Sequence, residues 1–145
     1  MGVPGRVSLT LLLFTLLSVS AAGVTARVEN GVLDLRDIQQ GDDFSVKMNG
    51  EWEFYFGTFI YGIPGKICDT LTPNCYGKVP GYWNEYIVDG KKLPNFGYGT
   101  YRAIILLPKG YRDRMGFDMP VFDTSYEIAI NGIKMARNGT PARSR

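Results

Sequence analysis

Apolar and polar residues alternate along much of this chain, and a period of two predicts strands rather than helices. The clearest case is MNGEWEFYFG, Met48 to Gly57, in which Trp52, Phe54 and Phe56 fall on one face of a half-buried strand. Further candidates are Val32 to Arg36, Phe44 to Met48, Thr100 to Leu107, Met115 to Met119, Tyr126 to Ile130 and Ile133 to Arg137, with Glu51 to Phe56 as the strand inside the quoted stretch. Turn residues divide them, and beyond the N-terminal apolar run no segment keeps a helical period. The expectation is an all-β domain, with Gly57 to Gly99 mostly loop.

Two Asn-Gly pairs fix expected registers. A two-residue loop at Asn49-Gly50 sets Met48 against Glu51 and Val46 against Glu53, apolar against charged along the whole ladder. A three-residue loop, with Gly50 in the left-handed region, instead pairs Lys47 with Glu51, Val46 with Trp52 and Phe44 with Phe54, so a bulged hairpin is predicted there. At Asn131-Gly132 the tight turn fits: it pairs Ile130 with Ile133 and Ile128 with Met135. One-sided antiparallel strands must bury their apolar faces against each other, which a β-sandwich does most economically.

The N-terminus departs from this pattern. Arg6 precedes an uncharged run, Val7 to Ala26, that ends in small residues, the layout of a secretory signal peptide. Cleavage fits after Ala22, making residues 1–22 the leader, or after Ala26. An uncleaved anchor is the alternative, since the run is about long enough to span a bilayer; the Ser, Ala, Gly and Thr in its last third favour cleavage. No later segment could cross a membrane, and no Cys stands where a lipoprotein anchor needs one. The periplasm or the cell exterior is the expected location.

Composition narrows the function. The chain has 145 residues, 45% of them hydrophobic, enough for one compact domain. Sixteen Lys and Arg against fourteen Asp and Glu are scattered rather than gathered into a stripe, which argues against a nucleic-acid partner. Histidine is absent, removing the commonest general base and the usual partner of a nucleophilic Ser or Cys. Glu51 and Glu53 share a strand face and read as solvated rather than catalytic. GYGTY, Gly97 to Tyr101, opens a strand, where a phosphate cradle needs a helix N-terminus. No enzyme activity and no cofactor are expected.

Export changes the reading of Cys68 and Cys75. In an oxidising compartment a disulfide is expected, closing a short loop for about 2 kcal/mol, with free thiols as the alternative. Two thiols without His make no four-ligand zinc set, so no metal is expected.

In chain order, MNGEWEFYFG, VPGYW (Val79 to Trp83), GYGTYRAIILLP (Gly97 to Pro108) and MPVFDTSYEIAINGIKMARNG (Met119 to Gly139) resemble galactose-binding-like jelly-roll domains. The N-terminal sugar-binding domain of family-2 glycoside hydrolases is similar. Nearer in pattern is the extracellular domain of bacterial seven-transmembrane receptors with diverse intracellular signalling modules. The likeness runs from Asn30 to Gly139, leaving residues 140–145 as a tail or truncated loop. It implies a jelly roll exposed to the periplasm or exterior that senses ligands or binds carbohydrate. In that family more strands follow the second hairpin, so this chain is expected to be a receptor fragment or a truncated secreted remnant, incomplete at its C-terminus. Open ladders in such a sandwich favour aggregation or a dimer through the strand edges.

Candidate ligand contacts are the loop aromatics Tyr82, Trp83 and Tyr86 of GYWNEY, with Tyr98, because flat rings stack on sugar faces. Trp83 has an alternative role as a cap on the core. Arg102, sharing a face with Thr100, Ile104 and Leu106, either holds a carboxylate or hydroxyl of a ligand or forms a structural salt bridge. Asn138-Gly139-Thr140 is a glycosylation acceptor pattern only in a eukaryotic source, against which the resemblance argues. Three functions follow: a sensor module of a membrane signalling protein, a secreted carbohydrate-binding accessory module, and a protein-interaction scaffold.

Overall fold

The computed structural model describes residues 26–39, 41, 44–60, 70–119 and 124–141. The expected leader, Cys68 and most of the tail lie outside the described residues. Among the described residues the regular structure is nine strands and short 3-10 turns, so the domain is all-β. In order they are β1 (Val32–Asp34), β2 (Gly50–Phe56), β3 (Cys75–Val79), β4 (Ile87–Val88), β5 (Lys91–Lys92), β6 (Gly99–Arg102), β7 (Ile104–Leu106), β8 (Tyr126–Ile130) and β9 (Ile133–Asn138).

β2 is the centre of the fold. One of its edges pairs antiparallel with β3 from Gly50↔Val79 to Phe54↔Cys75, and the other pairs with β6 from Glu53↔Arg102 to Phe56↔Gly99. Where β6 has not yet begun, the second edge is taken by the segment before β1: Val28 N–H donates to the Asn49 carbonyl, Glu51 N–H to Val28, and Gly31 N–H to Glu51. With both edges filled, no ladder position remains for Phe44 to Met48. That segment is therefore not a strand, and the predicted bulged hairpin at Met48-Asn49-Gly50 does not form. Its alternation still matters: Phe44, Val46 and Met48 are half-buried and pack on the core of Val28, Leu33, Leu35 and Ile38, while Ser45 and Lys47 are exposed.

Gly50 does adopt a positive φ, 139°, but for a different reason than a turn. A Cβ there would lie 2.0 Å from the Val28 carbonyl oxygen, so glycine is what allows the N-terminal segment to reach β2.

The stretch expected to form one strand from Thr100 to Leu107 is two. It breaks at Ala103; β6 stays with β2 and β7 pairs parallel with β1, Val32↔Ile104 to Asp34↔Leu106. One chain segment thus ties two sheets together. The core sits under this junction, with Trp52, Ala103, Ile105 and Leu107 packed on Val28 and its neighbours. Two further turns follow the short-range hairpin signal: Asn30-Gly31 (φ 47° and 79°) precedes β1, and Asp89-Gly90 (φ 50° and 75°) joins β4 to β5.

Among its described residues Gly57 to Gly99 is mostly loop, as expected, although the short strands β3, β4 and β5 interrupt it. Other expectations are corrected. Met115 to Met119 is irregular and exposed, with no strand beside it to pair with among the described residues. The β8–β9 hairpin turns at Asn131-Gly132 as expected, with Ile130 opposite Ile133, but a bulge at Met135 shifts the register so that Ile128 faces Ala136 rather than Met135. Among the described residues no helix is long and apolar enough to cross a membrane.

Candidate functional site

The two faces of β2 hold different chemistry. On one, Phe54 is fully buried at the centre of an aromatic cluster: ring centroids of Tyr101, Tyr86, Trp83 and Phe56 lie 4.6, 5.4, 6.3 and 6.4 Å away. On the other, Glu53 is buried rather than solvated. It pairs with Arg102 directly across the ladder, Arg102 Nη2 donating to Oε1 at 3.2 Å and Nε to Oε2, while the Tyr55 hydroxyl donates to Oε2 at 3.0 Å. The Asn30-Gly31 turn lies over the Glu53 side chain and shields it. Glu51, in contrast, is exposed as expected.

Residues 80–98 form an arch over the aromatic face, leaving β3 through a cis Val79–Pro80 bond. Local sequence explains how the arch is held. Tyr82 begins the 3-10 turn Trp83–Glu85, closed by Tyr86 N–H donating to the Trp83 carbonyl. Leu93 N–H then donates to the Tyr86 carbonyl, sealing the β4–β5 hairpin. Two side-chain links cross the arch: Trp83 Nε1 donates to the Pro94 carbonyl at 3.0 Å, and Asn84 Nδ2 to Asn95 Oδ1 at 3.0 Å. Beneath it, the Tyr101 hydroxyl donates to Tyr86, whose hydroxyl donates to the Lys78 carbonyl at 2.8 Å. The Tyr86 ring rests on Gly77, where a Cβ would come within 2.3 Å of it. Burial pushes the phenols of both Tyr101 and Tyr86 above the usual tyrosine range, more strongly for Tyr101.

Among the five candidate contacts, the structure brings Trp83 and Tyr86 together and turns both inward. Trp83 is half-buried and stacked on Phe54, the capping role weighed for it. Tyr82 stands on the outer surface of the arch, 76% exposed. Tyr98 packs on Phe59, ring centroids 4.7 Å apart. Arg102 belongs to the opposite face, engaged by Glu53 and over the Tyr55 ring, the structural role weighed for it.

Phe96 was missed. It is 72% exposed and follows directly on the second cross-link, so it stands on the arch with Tyr82. The Pro94-Asn95 pair before it gives only a loop signal, and nothing in the local pattern indicates how exposed a loop aromatic is. Cys75 lies in β3 as a free, half-buried thiol, its pKa raised by burial; its expected partner Cys68 is outside the described residues. Among the described residues no group of three or more Cys, Asp or Glu converges as a metal site. An open groove of about 450 Å³ lined by Arg27, Glu29 and Asp34 shares no residue with the arch.

Comparisons with protein-family models, with curated proteins and with solved structures gave no match.

Proposed function

We propose that this chain is an extracytoplasmic recognition module that binds a carbohydrate, or another small ligand with a flat apolar face, through the exposed rings of Tyr82 and Phe96. The observation that carries this reading is the construction of the arch. Two large aromatic residues are held at the surface by a segment cross-linked at Trp83–Pro94 and Asn84–Asn95 and seated on a packed aromatic cluster. A rigid ring-bearing surface binds without having to order itself first, which lowers the entropic cost of association. Rings exposed in this way supply stacking area together with a polar edge at the Tyr82 hydroxyl.

The leader-like run from Val7 to Ala26 supports export. The motif order supports a galactose-binding-like jelly roll serving as the input of a membrane signalling protein. Binding without catalysis agrees with the absence of His and with the engagement of buried Glu53 by Arg102 and Tyr55. A secreted accessory module would use the same surface.

Calorimetric titration of the full chain with a panel of neutral and acidic mono- and oligosaccharides tests the reading. At least one sugar is expected to bind, and Tyr82→Ala to weaken it about tenfold, roughly 1.4 kcal/mol, with no change in melting temperature. Binding that Tyr82→Ala and Phe96→Ala both leave intact would place the site elsewhere.

A further inference from the structure

We propose that the Asn131-Gly132 turn between β8 and β9 is a site of spontaneous covalent modification, at which the asparagine converts through a succinimide to aspartate and isoaspartate. The chemistry is intramolecular. The Gly132 backbone nitrogen attacks the carbonyl carbon of the Asn131 side chain, a C–N bond forms, and the amide nitrogen leaves as ammonia. Water then opens the succinimide ring at either carbonyl: one opening restores the normal backbone with an aspartate side chain, and the other routes the backbone through the former side chain. Water is the only co-reactant, and nothing is oxidised or reduced. Glycine in the second position permits the attack, because no Cβ crowds its nitrogen.

The chain carries four Asn-Gly pairs, and the fold treats them differently. At Asn30-Gly31 the glycine is buried; its N–H donates to the Glu51 carbonyl at 2.8 Å, and its own carbonyl accepts from Ile104 N–H at 2.8 Å. The attacking nitrogen is thus engaged and its residue held from both sides. At Asn49-Gly50 the glycine is buried between Val28 and Val79. Ring closure needs the side-chain carbonyl to swing onto the next peptide nitrogen, so at both places the local structure must open first.

Asn131-Gly132 has none of these restraints. Both residues are exposed, and their φ angles of 50° and 79° are those of a two-residue hairpin turn closed by Ile130 and Ile133 on either side. Among the described residues no hydrogen bond engages the Gly132 N–H. Asn138-Gly139 is intermediate: it is exposed as well, but Asn138 stays in the ladder opposite Tyr126, and Gly139 sits against Ser125. The structure therefore orders the sites, Asn131 first, Asn138 next, Asn30 and Asn49 last. Conversion at Asn131 adds a negative charge to the turn, and its isoaspartyl form adds a backbone carbon to a loop whose length sets Ile130 opposite Ile133. This inference does not depend on the arch.

The test incubates the full chain, folded and in urea, in mildly alkaline heavy-oxygen water, followed by tryptic digestion in ordinary water. The four pairs fall in four different tryptic peptides, Val28 to Arg36, Met48 to Lys66, Met115 to Lys134 and Asn138 to Arg143, and each contains a single asparagine. Heavy oxygen in a peptide therefore reports one site. In urea all four are expected to label together. In the folded chain the Asn131 peptide is expected to keep close to its unfolded rate, while the Asn30 and Asn49 peptides slow by at least about tenfold, since they react only from an opened state. Equal labelling of all four in the folded chain, labelling at Asn131 as slow as at Asn30 and Asn49, or Asn138 reacting ahead of Asn131, each overturns the proposal.

Discussion

Gly50 illustrates how a residue can be read correctly in conformation and wrongly in purpose. Its Asn-Gly context predicts a positive φ, and the positive φ is present, yet the cause is the approach of the Val28 backbone rather than a reversal of the chain. The same dipeptide at Asn131-Gly132 makes the tight turn expected of it, and at Asn30-Gly31 it makes one that the strand pattern alone did not point to. Which outcome an Asn-Gly pair takes depends on whether the next strand still has a free edge, and that is a tertiary fact. Gly50→Ala places a methyl group against backbone atoms that cannot rotate away and adds strain at the positive φ. It is expected to destabilise the domain by ~2 kcal/mol or more, read as a lowered urea midpoint at unchanged m-value. A neutral effect would show that the Val28 segment does not dock on β2.

At the scale of elements, periodicity located β2, β8 and β9 within a residue or two, because each is long and one-sided. It missed β3, whose sequence, Cys-Tyr-Gly-Lys-Val, has a glycine where the Tyr86 ring lies and so lacks the apolar beat of a strand. It also fused β6 with β7, since both are apolar and nothing in Tyr-Arg-Ala-Ile marks a change of sheet. The arch depends on such unmarked contacts, and the hydroxyl chain from Tyr101 through Tyr86 to Lys78 fastens it to the central sheet. Both phenols hold their protons above the ordinary tyrosine range when folded, so the folded state binds more protons than the unfolded state once pH exceeds about 10. Their contribution is complete below that pH and is lost progressively as pH rises from there toward the raised folded-state values. The urea midpoint should therefore fall as pH rises beyond about 10, and Tyr101→Phe should flatten the fall. A midpoint that declines just as steeply without the Tyr101 hydroxyl would contradict the anchoring.

Across the whole molecule, the alternating pattern was enough to predict an all-β domain, and a buried Phe54 among aromatic neighbours agrees with the expected apolar interior. The placement of some candidate residues was legible as well. Tyr82 is exposed on the arch, while Trp83 and Arg102 take the structural roles that large burial potential and a facing carboxylate favour. Phe96 was not legible, because its exposure is set by cross-links between residues 83–84 and 94–95 that connect two separated parts of one loop. The recognition account therefore rests on the arch as a unit, and location is its sharpest consequence. Chemical-shift mapping of the isotope-labelled full chain during titration with a bound oligosaccharide measures that location directly. The predicted result is perturbation centred on Tyr82, Asn84 and Phe96, with residues 26–34 and the β8–β9 hairpin unmoved; shifts centred on either of those regions, with the arch silent, would contradict it.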